Sequence, residues 1–178
     1  EWDVRNGTTF VDMFFNCHEF DQDLSKWNMG KAVNLNGMFC GCWKFNQDLP
    51  WNTGNVRDIS WMFRLASSFN GDVSSWDTSS VTDASYAFCY AESFSQDISD
   101  WNLSSCTNMV SMFRGATSFD RDVSKIDVSN VQKMEGMFFQ ASSFRQDLSS
   151  WEVTESTNIE CNFLDSGVTR DDISSWPS

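Results

Sequence analysis

Large apolar residues recur along this chain at a fixed interval, with polar residues filling the positions between. Trp2, Trp27, Trp51, Trp76, Trp101, Trp151 and Trp176 form one column, with Ile126 in its single gap. Every step is 25 residues except the 24 between Trp27 and Trp51, where Pro50 marks the deletion. Phe14, Phe39, Phe63, Phe88, Phe113, Phe138 and Phe163 follow twelve residues behind the first seven members. A second Phe column runs through Phe20, Phe45, Phe69, Phe94, Phe119 and Phe144. An Asp-aliphatic pair closes each unit, from Asp23-Leu24 through Asp97-Ile98 to Asp172-Ile173.

Within a unit the periodicity predicts two elements. Val81, Ala84, Ala87, Phe88, Ala91 and Phe94 step by three or four residues, which is one face of a short helix. Ser80, Ser105 and Asn130 precede such stretches and suit N-caps. Around Trp76 and Trp151 apolar and polar residues alternate, as in Ser75-Trp76-Asp77-Thr78, which predicts a short strand. A single 25-residue unit cannot bury its own Trp and two Phe, whereas stacked copies cover one another's faces. The expectation is therefore one α/β solenoid over residues 1–178, with about seven coils, parallel strands on one side and short helices on the other. At strand spacing it is on the order of 35 Å long.

The unit reads Phe-Ser-Gln-Asp-Ile-Ser-Asp-Trp-Asn-Leu-Ser at residues 94–104 and continues Met-Val-Ser-Met-Phe-Arg-Gly-Ala at 109–116. It resembles the BspA-like repeat of mycoplasma-type surface lipoproteins, over essentially the whole chain. That resemblance implies a leucine-rich-repeat-like solenoid and an extracellular or cell-surface role, often adhesion. Ala87 and Asn162 depart from it at the position held by Met13, Met38, Met62, Met112 and Met137, as does Thr169 in the second Phe column.

Composition narrows the functions. The net charge of -13, with 12 Lys plus Arg against 25 Asp plus Glu, leaves nothing from which to build a phosphate-tracking groove, so no nucleic-acid partner is expected. Apolar runs are too short for a membrane span. The chain begins at Glu1 without a leader, which reads as a processed product or a piece of something longer. One His, no phosphate loop and no placed nucleophile give no catalytic residue and no cofactor site, and a carboxylate repeated seven times argues scaffold rather than enzyme.

Several residues remain candidates for contact chemistry. The Asp-aliphatic ladder reads either as turn caps or as calcium ligands, although no Asp-rich loop has the glycine spacing of a known calcium site. Asp3, Asn28, Asn52, Asp77, Asn102, Asp127 and Glu152 alternate with the Trp column and form a candidate acidic face for calcium or a glycan. Cys17 and Cys42 share one repeat position in adjacent coils, within disulfide reach if the coils stack, or serve as small core residues. The pattern around the six Cys and His18 does not match a zinc site, so no metal is expected there. Asn6 and Asn102 lie in Asn-x-Ser/Thr triplets and are candidate glycosylation acceptors. Trp2, Phe10 and Trp176 lie near the two ends and are candidates for head-to-tail self-association into filaments. The expected function is non-enzymatic contact with copies of itself or another surface protein. The alternative is a calcium- or carbohydrate-binding surface module.

Overall fold

The computed structural model describes residues 2–176; Glu1, at which the expected 1–178 unit begins, and Pro177 and Ser178, at which it ends, lie outside the described residues. The structure corrects the α/β solenoid. Among the described residues there is no α-helix and no strand, only a three-residue 3₁₀ turn at Asp171–Ile173 and six isolated parallel bridges. The leucine-rich-repeat-like pairing of helix and sheet is absent with them.

What repeats is a winding made almost wholly of turns. The bridges join Thr9, Asn34, Asp58, Asp83, Asn108, Lys133 and Asn158 in sequence, one residue per winding. The segment expected to be helical, Val81 to Phe94 in one unit, contains the bridge residue Asp83 near its start. Its backbone turns left-handed at two residues four apart, as at Trp61 and Leu65 (both φ 60°) or Tyr86 (φ 58°) and Tyr90 (φ 57°). An α-helix requires right-handed φ throughout and an amide bonded four residues back, so these angles exclude it. Alternate amides do two jobs instead. Ala84, Tyr86, Phe88 and Tyr90 donate forward to Asn108, Val110, Met112 and Arg114 of the next winding, while Ala87, Cys89 and Ala91 donate three residues back. The resulting chain of turns keeps the apolar step of three to four residues that mimics a helix.

The expected N-caps also act differently. Ser80 and Ser105 donate their hydroxyls, and Asn130 its amide, to Gly54, Ser79 and Ser104 carbonyls of the preceding winding. Around the Trp column no ladder forms, because the backbone amide closes a local turn, as Trp76 N does with Val73 O. The indole supplies the link between windings. Trp51, Trp76, Trp101, Trp151 and Trp176 donate Nε1–H to Leu24, Leu49, Val73, Val123 and Leu148 carbonyls at 2.7–3.2 Å. Ile126 has no such donor.

Between these two hydrogen-bonded sides lies one continuous core. The first Phe column stacks at 5.4–6.1 Å between ring centroids, the second at 5.8–6.0 Å. Within a winding the two rings stack more closely, as Phe88 and Phe94 do at 3.9 Å. Offset stacking of this kind adds roughly 0.5–1.5 kcal/mol per pair to the burial itself. The last winding packs less well: Phe163 is only partly buried, Leu164 is exposed, and Asn162 sits in the core with its Nδ2 unpaired.

Candidate functional site

Two outer surfaces flank the core, and the sequence pointed to the less eventful one. On the Trp side, Asp23, Asp72, Asp97, Asp122 and Asp147 each accept the amide of the Ser two residues on. Hydrogen bonding from that Ser holds their carboxyls below the usual carboxylate range, through its side chain first and its amide second at Asp23, Asp122 and Asp147 and in the reverse order at Asp72 and Asp97. Asp48 is the exception, because Pro50 has no amide to offer; its Oδ1 accepts Asp72 N of the next winding at 2.8 Å. Asp172 accepts Thr169 N and Oγ1.

The candidate ligand face is consumed in the same way. Asp3, Asn28, Asn52, Asp77, Asn102 and Asp127 use Oδ1 to accept the amide of Arg5, Gly30, Gly54, Ser79, Ser104 and Ser129. Asn and Asp do this interchangeably, so the cap does not require charge. Glu152, one methylene longer, has no such bond among the described residues. No three His, Cys, Asp or Glu side chains gather to hold a metal there or elsewhere among the described residues.

The remaining candidates are dispersed. All six cysteines are free thiols; Cys17 is exposed, whereas Cys42 is buried with its Sγ donating to Phe14 O at 3.0 Å. Burial pushes the Cys42 thiol up to about 12. Asn6 is exposed and accepts from Lys31 Nζ, while Asn102 Oδ1 also takes the Ser104 hydroxyl of its own triplet. Of the three end residues only Trp2 is open, at 62% exposure; Phe10 and Trp176 are 6% and 8% exposed. The structure therefore does not bring the candidate residues into one site.

The wall made by the left-handed turns is different; the sequence shows two of its residues, Trp43 and Trp61, only as irregular positions without chemistry of their own. Its outward positions carry Phe15, Trp43 and Trp61, which are 49%, 50% and 38% exposed, together with Tyr86 and Tyr90, which are partly exposed. Cations lie among them. Arg64 sits 4.7 Å over Trp61, and Arg114 lies 4.6 Å over Phe139 and 5.9 Å from Tyr90. His18 stacks flat on Trp43 at 3.7 Å, and Tyr86 covers Trp61 at 4.8 Å. The available signal was that Trp43 and Trp61 break the 25-residue register, and that Phe15 and Phe139 double a columnar Phe.

Cys40 and Cys89 alternate with Arg64 and Arg114 along this wall. Burial raises both thiols, Cys89 to about 11, against the lowering influence of Arg64. Neither is poised as a nucleophile at neutral pH. The wall offers rings, guanidinium groups and hydrogen-bond acceptors.

No helix among the described residues is long and apolar enough to cross a membrane. No curated protein and no solved structure matches the chain. A family described as "Mycoplasma protein of unknown function, DUF285" matches twice, over residues 1–99 and 57–176. Two overlapping matches in one chain agree with its repeated windings, and the chain belongs to this Mycoplasma-described repeat family.

Proposed function

We propose that this chain is a non-enzymatic surface contact protein, of the kind the BspA-like lipoprotein resemblance implies, and that it meets its partners through the turn wall. The observation that carries this reading is the wall's composition. Trp, Tyr, Phe and Arg are the residues that concentrate in the binding centres of protein interfaces, and here they stand outward over several windings. A rigid stack beneath them keeps the ordering cost of binding low. The acidic Trp-side surface, by contrast, spends its acceptors on its own turns and supplies solubility.

The family described from Mycoplasma is consistent with a location at the cell surface. The test uses beads coated with the full chain or with the double variant Trp43→Ser, Trp61→Ser. Bead-to-bead clustering and bead attachment to cultured epithelial cells are both counted. The proposal expects at least one of them to fall severalfold in the variant. Equal counts for the two proteins in both assays overturn it.

A further inference from the structure

A notch of about 220 Å³ opens in the turn wall between the first and third windings, lined by Asp12, Phe15, Asn36, Gly37, Cys40 and Trp61. It exists because one column loses a side chain. Asp12, Gly37, Trp61 and Tyr86 occupy the same left-handed position in four successive windings. Tyr86 covers Trp61 from the winding beyond, while Gly37 has nothing with which to cover it from the winding before. Gly37 is constrained twice over. Its φ is +63°, and a Cβ there would lie 2.1 Å from the Asp12 Oδ1 carboxylate oxygen. The notch is thus a lasting consequence of the backbone and the Asp12 side chain.

The lining states what fits. Phe15 is 49% exposed, and Trp61, whose ring already lies against Tyr86 at 4.8 Å and under Arg64 at 4.7 Å, keeps 38% of its surface open; the exposed parts of both rings favour an apolar C–H surface. The Asp12 carboxylate meets no donor among the described residues, and neither does Asn36 Oδ1, while Asn36 Nδ2 donates to Ser60 Oγ. Two free acceptors beside two partly exposed rings call for a ligand that has an apolar C–H surface and carries hydroxyl donors on its edge. An anion is disfavoured by Asp12 and by the chain's charge of -13. A cation is disfavoured by the Arg64 guanidinium already lying 4.7 Å over Trp61. The volume is below the roughly 300–1,000 Å³ of drug-sized pockets, which limits the ligand to about one ring. We infer that the notch binds a neutral pyranose, the exposed sugar of a glycan, with Phe15 and the open part of Trp61 against its C–H surface and Asp12 and Asn36 accepting from its hydroxyls.

This goes beyond the contact reading, places sugar recognition on the wall rather than on the acidic column, and is tested separately from bead clustering. Saturation-transfer NMR of the whole chain is run with the methyl pyranosides of mannose, galactose, glucose and N-acetylglucosamine at millimolar concentration. Tetramethylammonium and methyl phosphate serve as comparison probes. The expected result is transfer to the ring C–H protons of at least one pyranoside. That signal falls at least tenfold in Trp61→Ala and in Asp12→Asn, and persists in Glu152→Gln, which lies on the Trp-side surface outside both the notch and the wall. Asp12→Asn keeps the side-chain size, so it reads the site even where the larger change disturbs the wall; each variant is checked by its thermal transition. No transfer to any pyranoside, transfer to tetramethylammonium alone, or transfer that survives Asp12→Asn unchanged overturns the assignment.

Discussion

Replacing Phe88 by alanine removes a ring that touches four others. Phe88 is fully buried and stacks on Phe63 at 5.4 Å, Phe113 at 5.6 Å and Phe94 at 3.9 Å, with Trp101 tilted against it at 6.0 Å. Truncating a buried Phe costs roughly 3–5 kcal/mol, and the cost grows with the cavity left behind. Lost ring pairs place this site at the top of that range, about 5 kcal/mol. In a chain of this length 1 kcal/mol moves the melting temperature by about 2–4 °C, so a fall of roughly 10–20 °C is expected. Phe163 provides the internal comparison. It occupies the same column but is only partly buried, with Phe138 at 6.1 Å and Trp176 at 5.2 Å. Its alanine variant should lose about half as much, in line with the smaller area it removes from water. Unfolding followed by calorimetry and by Trp fluorescence reads both variants. Equal losses at the two sites, or a loss below about 1 kcal/mol at Phe88, would refute the claim that stacking in the middle windings dominates stability.

Ile126→Trp places an indole donor near Ile98 O and a ring between Trp101 and Trp151; a gain of about 1 kcal/mol in urea unfolding is expected from one added hydrogen bond. Asn162→Met removes the unpaired buried amide and restores the usual residue of its column, so it too should raise the melting temperature, since Met137 N retains Met134 O. Thiol alkylation at neutral pH should proceed quickly at the exposed Cys17 and Cys161 and slowly at Cys42, Cys89 and Cys106, whose burial raises them to about 12, 11 and 11; mass spectrometry of partly alkylated protein decides it. The capping aspartates, held low by their Ser partners, contribute stability that is present above the unfolded value near about 4 and is lost as pH falls through their depressed folded values. Asp72→Asn and Asp122→Asn should therefore flatten the acid side of a melting-temperature profile while leaving the neutral value little changed. Treatment with EDTA should leave the melting temperature where it was, because the acceptors of the acidic columns are already taken by backbone amides.

The repeat, its 25-residue step and its three aromatic columns were legible because large rings in register leave a mark that survives any local geometry. The local geometry was not legible from that mark. Ala84, Phe88 and Ala91 keep a three-to-four-residue spacing whether the chain passes through a helix or through successive turns, and side-chain period alone cannot separate the two. The distinguishing signal sat in the positions between them. Gly37, Gly41, Gly115 and Gly136 fall on the left-handed positions, and an amphipathic helix has no reason to place glycine there repeatedly. The strand reading failed for a related reason. Alternation around Trp76 put the indole inward correctly, yet the indole Nε1 rather than the backbone amide makes the bond to the neighbouring winding. The acidic column was visible as a stripe, but only coordinates show that each Oδ1 is spent on the amide two residues on. Trp43 and Trp61 were visible as breaks in the register, but nothing in the sequence places them with Phe15 on one wall, and alone they carry no chemistry.

Hydrogen-bond scalar coupling between 15N and 13C′ nuclei tests most directly whether the wall is built from turns that join one winding to the next. The structure predicts a coupling from Phe88 N to the Met112 carbonyl, with parallel couplings from Tyr86 to Val110 and Tyr90 to Arg114. A coupling from Phe88 N to the carbonyl of Ala84, as an α-helix requires, would contradict it and remove the surface on which the proposed contact function rests.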